Sequence, residues 1–318
     1  MIAKTRYRLN GFEPDNLLAF LALLGLLRAL QEDGQLPSVR ASWSVEHPPV
    51  RPVLHFGRPE TETGLVDAIV RGLRTLAAQL DFNGRKDLKV TRAEGADLLK
   101  EARDSEAGGA WSALVSDAVI SRDGTRLEPT PLCLMFGQGH QHFLDRVASV
   151  PRLQAPPDRG RGRAKKAVSE AEALAEALFD RWQRPDATHS FRWDPKEDVR
   201  YALRANDPTD AKTKDTTQHG ANRLAAVALP LLTVAPQAPL GGMPRLAVRG
   251  GGRDTSGRFT FSWPIWRDPI GLSCVCHLLD HPRLDDAEIR RALGIVERRV
   301  ATRVANGKFM NFTGGVAA

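Results

Sequence analysis

Cys274, Cys276, His277 and His281 bring two thiols and two imidazoles, the donors that zinc prefers, into one short stretch near the end of the chain. Structural zinc sites usually set two or more residues between paired cysteines and draw ligands from two separated segments. Here a single valine separates the cysteines, and Cys133 is the remaining one. A buried helix over 270–279, with cysteines as small apolar core residues, explains the same letters, so no metal ligands are assigned. His140 and His142 lie in the run GQGHQH over 137–142 and share a face only in a strand. Imidazoles so placed have the chemistry of a general acid and base, or of metal ligands. No acidic cluster stands near them to complete a metal site. The preferred reading is a polar, glycine-rich turn in which Gln138 and Gln141, with the histidines, contact a backbone or phosphate. No phosphate-binding loop, dinucleotide fingerprint or nucleophile elbow occurs, and no catalytic residue is assigned.

Two further clusters are cationic. The run PPDRGRGRAKK over 156–166 sets Arg159, Arg161, Arg163, Lys165 and Lys166 against the single acid Asp158. Cations on a flexible loop neutralise phosphates and release counterions with little demand on geometry. Downstream, Lys212, Lys214, Gln218, His219, Asn222 and Arg223 mix charges and amides where a loop enters a helix. Amides and arginine read base edges, while lysines hold the backbone. A solvated loop and a helix cap are the competing readings for these two clusters.

The elements that position these groups can be read from periodicity and punctuation. A strand is expected over 6–9. After a turn, Asp15 or Asn16 caps a helix running to about residue 31 and ending near Asp33-Gly34. That helix is apolar on every side and belongs in the middle of the fold. Gly25 inside it costs up to about 1 kcal/mol relative to alanine, which a close backbone contact would explain. Residues 37–59 read as irregular strands and loops. Val66, Ile69, Val70, Leu73, Leu76, Ala77 and Leu80 mark an amphipathic helix over 63–80. Helices are also expected over 97–102 and 111–119, from about 143, and from Ser169, where Glu172 completes a capping box. Two strands are expected over 190–193 and 199–203, and a short apolar helix over 221–229, stopped by Pro230. Arg245–Arg249 and Arg258–Trp263 read as a hairpin around glycines 250–252. Ile289, Leu293, Val296, Val300 and Val304 form one stripe, predicting a final helix over 285–304. Helices and strands mix without strict alternation. The expected class is therefore α+β: mixed helices and short antiparallel strands around one core, with a C-terminal helical portion. Two regions, 1–155 and 169–318, flank the basic loop 156–168.

The chain has 318 residues, is 42% hydrophobic and carries a net charge of +7. That composition supports a real core and favours anionic partners such as nucleic acid. Three cysteines make no disulfide framework and fit a reducing compartment, so the expected location is cytoplasmic. The apolar run 17–27 is too short to span a bilayer. It also lacks a cleavage site, and Glu13, Pro14 and Asp15 interrupt its approach, so neither a signal peptide nor a membrane partner is expected.

Two stretches carry a family resemblance. LNGFEPDNLLAFLALLGLLRAL over 9–30 resembles the opening of large subunits of type I CRISPR effector complexes: a strand, a polar turn with Asn, and an apolar helix with an internal Leu-Gly. The region 190–230, with FRWDPKEDVRYALR followed by HGANRLAAVALPL, is similar to proteins encoded with type I-U (I-G) systems. Together they cover about a fifth of the chain. The resemblance implies a large-subunit-like or accessory component of a crRNA-guided surveillance complex, without catalytic residues or cofactor. Its implied partners are crRNA, double-stranded target DNA, the other complex subunits and a helicase-nuclease. Its implied tasks are to check the PAM and help open the duplex, guide pairing supplying sequence specificity. On this expectation Lys212, Lys214, Gln218, Asn222 and Arg223 lie at the PAM side, and Arg159, Arg161, Arg163, Lys165 and Lys166 hold DNA backbone. The alternatives are a crRNA-processing endoribonuclease using His140 and His142, and a zinc-stabilised nucleic-acid-binding module.

Overall fold

The structure is a computed structural model and describes residues 2–36, 38–121, 124–135, 142–160, 164–197, 216–238, 242, 244–306 and 309–318. At its centre runs α1 (Leu17–Asp33), with thirteen buried residues spread around its circumference. The Asn16 side chain accepts from Ala19 N–H at its start, and Gly34 closes its end in the left-handed conformation. A three-stranded antiparallel sheet runs in the order β1 (Lys4–Arg8), β3 (Pro52–Glu60), β2 (Arg40–Trp43). Helix α2 (Glu62–Ala78), capped by Thr61, packs on α1 through its apolar stripe, as its periodicity predicts.

The chain then forms α3 (Arg92–Arg103), the single turn α4 (Gly108–Trp111), α5 (Phe143–Arg152) and α6 (Glu170–Phe179). Ser169 and Glu172 form the expected capping box. Helix α7 (His219–Ala228) is buried at every residue and packs against α1, α5 and α6. Its contact with α1 accounts for Gly25. A Cβ there would lie 1.8 Å from the Leu224 carbonyl oxygen, so only glycine lets the two backbones meet.

The last third of the chain is mainly β. Hairpin β4 (Val234–Gln237) with β5 (Arg245–Val248) stands beside a sheet ordered β10 (Val316–Ala317), β8 (Ile295–Asn306), β7 (Phe259–Trp266), β6 (Gly251–Arg253). Strand β9 (Phe309–Phe312) also pairs with β8. This sheet lies on α1, with Phe20 stacked on Trp263 at 5.6 Å. Two short helices, α8 (Leu272–Leu279) and α9 (Ala287–Ala292), connect β7 to β8.

The mixed α+β class holds, and four local expectations are corrected. Of the helix expected over 111–119 only Trp111, the last residue of α4, is helical, and the rest are turns and coil. The predicted helix over 285–304 is one short helix and a twelve-residue strand. Gly294 adopts φ 69° and ends the helix. Beyond it the β-branched Ile295, Val296, Val300, Thr302 and Val304 favour an extended chain paired with β7. The C-terminal portion therefore ends in strands. The glycines 250–252 do not join β5 to β7: β5 pairs with β4, and β6 pairs with β7. Residues 190–193 are not a strand. They form a bend in which Phe191 and Trp193 stack at 4.5 Å inside the core. The partner strand expected at 199–203 lies outside the described residues. One hydrophobic core runs from Tyr7 to Phe312 and draws on both sides of the 156–168 loop.

Candidate nucleic-acid interface

Three of the residues expected to read bases point into the protein. Arg223 is fully buried. Its Nε donates to the Pro151 carbonyl at 3.1 Å, Nη1 to the Gln154 carbonyl at 2.9 Å and Nη2 to Glu170 Oε1 at 2.7 Å. Burial pushes its pKa down, and the Glu170 carboxylate opposes that shift. Asn222 accepts from Phe191 N–H at 3.3 Å and donates to Thr217 Oγ1 at 2.7 Å. The buried Gln218 accepts from Arg184 N–H at 3.3 Å. Each polar group on a helix covered on all sides must find an internal partner, and these three have done so. They are struts of the fold, and Asn222 and Arg223 spend their donors inside it. Lys212 and Lys214 lie outside the described residues.

The ends of the 159–166 loop pair as the base of a hairpin. Arg159 N–H donates to the Lys166 carbonyl at 2.9 Å, and Lys166 N–H returns the bond at 2.8 Å. The Arg159 guanidinium folds inward, with Nε donating to Asp186 Oδ1 at 2.7 Å and Nη1 to Glu176 Oε2 at 2.6 Å. Burial opposes its charge, but the two carboxylates outweigh burial and raise its pKa. Arg159 is therefore an anchor and not the backbone contact expected of it. Lys165 and Lys166 are exposed, while Arg161 and Arg163 lie outside the described residues.

Asp186 ties this hairpin to the second cationic segment. Its fully buried carboxylate takes the Arg159 bond on Oδ1 and accepts from His219 N–H, the first residue of α7, on Oδ2 at 3.0 Å. An acid suits that end of a helix. Its backbone exchanges two hydrogen bonds with Thr217, at 3.1 and 2.8 Å. Thr217 Oγ1 in turn donates to Glu197. Residues 197 and 217 flank the segment that contains Lys212 and Lys214. The described residues that flank both cationic segments thus meet in one hydrogen-bonded knot. Nothing in the sequence marks it, because Asp186 and Arg159 stand 27 positions apart with no spacing rule between them.

A basic cleft was not anticipated. Arg267, Arg290 and Arg291 line a cavity of about 320 Å³ whose wall contains no acid. The turn at Gly294 builds it: Arg267 N–H donates to the Gly294 carbonyl at 3.0 Å, setting β7 beside the end of α9. Arg290 is steadied by the Leu284 and Asp285 carbonyls, at 2.7 and 3.0 Å. The sequence signal is the adjacent pair Arg290-Arg291.

His142 pairs through Nδ1 with Asp87 Oδ2 at 3.0 Å, both half-buried. Gln138, His140 and Gln141 lie outside the described residues. In α8, Cys274 is exposed and Cys276 is buried, and burial raises the Cys276 thiol pKa. Among the described residues no group of three or more His, Cys, Asp or Glu side chains could hold a metal ion. Nor is any described helix long and apolar enough to cross a membrane. Comparison of the chain with protein-family models, curated proteins and solved structures returned no match.

Proposed function

We propose that this chain is a non-catalytic, large-subunit-like component of a type I CRISPR RNA-guided surveillance complex. In that role it binds the backbone of crRNA and target DNA, takes part in PAM recognition and helps recruit the helicase-nuclease. The cytoplasm is its proposed location. The observation that carries the reading is the hairpin that presents Lys165 and Lys166 from a base pinned by Arg159 and Asp186. Lysines on an anchored loop hold phosphates at a fixed place without reading sequence. The Arg267, Arg290 and Arg291 cleft adds a second phosphate-binding surface. The resemblance of 9–30 and 190–230 to type I subunits supplies the assembly. Since Asn222 and Arg223 are spent inside the fold, PAM-side contact falls to Lys212 and Lys214. The test is to tag the protein in its native host, purify it gently and identify bound RNA and proteins. Short repeat-derived RNA with backbone subunits is the expected result. A lone protein without RNA would remove the proposal.

The Asp87–His142 pair favours a second reading, a crRNA-processing endoribonuclease. A carboxylate bonded to one imidazole nitrogen orients the ring and leaves the other nitrogen for proton transfer. This reading predicts cleavage of repeat RNA by the lone protein, lost in His142→Ala. Intact RNA after long incubation with micromolar protein would dispose of it.

A further inference from the structure

The sheet of β1, β3 and β2 has one face in the core, where Tyr7, Leu54, Phe56 and Ala41 are buried. Side chains alternate along a strand, so the residues between these point outward. On the outer face the register sets Arg6 of β1 opposite His55 of β3, and His55 opposite Arg40 of β2. Directly opposed residues share a face, so one row across the sheet reads Arg, His, Arg. Neighbouring strands lie about 4.8 Å apart, which sets the two arginine backbones about 10 Å apart. Both arginines are exposed, and neither has a hydrogen bond or ion pair to a described residue. Arg8, the next outward residue of β1, is by contrast spent on the His47 and Pro49 carbonyls. His55 Nε2 pairs with Ser42 Oγ at 2.9 Å, and Nδ1 has no partner among the described residues. Burial, reinforced by the Arg6 charge, holds the His55 pKa below its ordinary value, so the ring is neutral at pH 7. Gly57 follows on the same face, with no atom within 4 Å of where its Cβ would stand. A glycine in a strand leaves room for another backbone to approach. Strands β1 and β2 contain no acid, and the one acid of β3, Glu60, lies at its far end and accepts from Thr61 N–H.

We propose that this face binds single-stranded RNA by its sugar-phosphate backbone. Arg6 and Arg40 each take a phosphate, the guanidinium fork matching its oxygens. The strand passes over His55 and the bare Gly57 backbone, where the free imidazole nitrogen meets a ribose 2′-hydroxyl. A neutral imidazole suits a hydroxyl, and DNA offers none at that place. None of the exposed large hydrophobic side chains lies on these strands, so the face gives a protein partner or a bilayer nothing to anchor on. It also has no exposed aromatic plane on which to stack a base, so binding is blind to sequence. The face shares no residue with the 159–166 loop or the arginine cleft, and the inference does not depend on the surveillance-complex reading.

The test uses the full-length protein and fluorescence anisotropy with short labelled oligo(U) RNA and oligo(dU) DNA of equal length. The RNA should bind about threefold tighter or more, the worth of one hydrogen bond, and His55→Leu should erase that preference. Arg6→Ala/Arg40→Ala should weaken RNA binding at least about tenfold. It should also lower the slope of log affinity against log salt by about 1.4, the value for two phosphate contacts on a single strand. Gly57→Glu sets a carboxylate over the row without meeting another atom at its Cβ, and should abolish binding by the face. Unfolding midpoints of these exposed variants should match wild type, which separates lost binding from lost folding. Affinity within about twofold of wild type in the double arginine variant or in Gly57→Glu would overturn the site. So would equal binding of the DNA, or displacement of the RNA by polyglutamate as readily as by unlabelled oligo(U). A purification without CRISPR subunits would sink the surveillance-complex reading and leave this result standing.

Discussion

The Arg223 guanidinium of α7 and the Glu170 carboxylate at the start of α6 form an ion pair at 2.7 Å with both side chains buried. Arg74 of α2 reaches the same carboxylate from outside. Removing Arg223 leaves Glu170 paired with Arg74 alone and strips donors from the Pro151 and Gln154 carbonyls, at about 1–3 kcal/mol for each buried group left unpaired. Arg223→Ala is therefore expected to lower the urea midpoint sharply, whatever nucleic acid is present. Asn222→Ala should lower it by a smaller amount, about 1–3 kcal/mol, by stripping partners from Phe191 N–H and Thr217 Oγ1. An Arg223→Ala protein of wild-type stability would contradict the burial described above.

The Gly25 contact predicts a steep cost for one methyl group. Leu224 presents a backbone oxygen, which cannot rotate away as a side chain could. Gly25→Ala should destabilise by about 3 kcal/mol or more, despite alanine's better helix propensity. Chemical denaturation monitored by tryptophan fluorescence reads the change directly.

His219 sets a pH dependence. Burial, more than the nearby Arg223 and Arg159 charges, lowers its pKa from 6.5 to about 4. Between those values the unfolded chain holds a proton that the folded chain refuses, so stability falls as the pH drops. The contribution is full above pH 6.5 and declines by about 1.4 kcal/mol per unit toward pH 4, a total of about 3 kcal/mol. Denaturation midpoints taken from pH 7.5 to 4 should show this slope, and His219→Gln should flatten it.

Lys165 and Lys166 act at the surface, so their loss should separate binding from folding. In Lys165→Ala/Lys166→Ala, affinity for nucleic acid should drop equally for all sequences. The slope of log affinity against log salt should fall by about two. The unfolding midpoint should stay within about 0.5 kcal/mol of wild type. Arg159→Ala should do the opposite, loosening the hairpin and the start of α7 because Asp186 loses its buried cation. Hydrogen exchange at Lys166 and His219 N–H reports that loosening.

What the sequence reveals and conceals follows from the range of each interaction. Asn16, the Leu-rich faces of α1, the Gly25 contact and the Ser169 capping box are local or one-sided signals, and they read through correctly. The stripe Ile289–Leu293–Val296–Val300–Val304 misled because a few valines at helical spacing also satisfy a strand. Gly294 and the β-branched density were the deciding letters. At α7 the sequence predicts an apolar helix, and the expectation that Gln218, Asn222 and Arg223 at its start face nucleic acid conflicts with that. The Ala, Leu and Val residues around Asn222 and Arg223 leave no solvent face, and that was the available clue. The Asp186 knot and the arginine cleft depend on tertiary pairings that no spacing encodes.

Helix α1 is apolar around its circumference, yet its cover is made late. Trp263 of β7 donates to the Pro14 carbonyl across 249 positions, and Arg28 donates to the Val227 carbonyl across 199. A ribosome adds about 5–20 residues per second, so the newborn helix waits on the order of ten seconds or more for α7 and β7 to emerge. Throughout that interval α2 can cover one face of the leucine-rich cylinder, and the faces that meet α7 and β7 stay bare. Synthesis of this protein therefore calls for a chaperone at its first helix, and a chain interrupted before β7 should aggregate instead of yielding a smaller folded product.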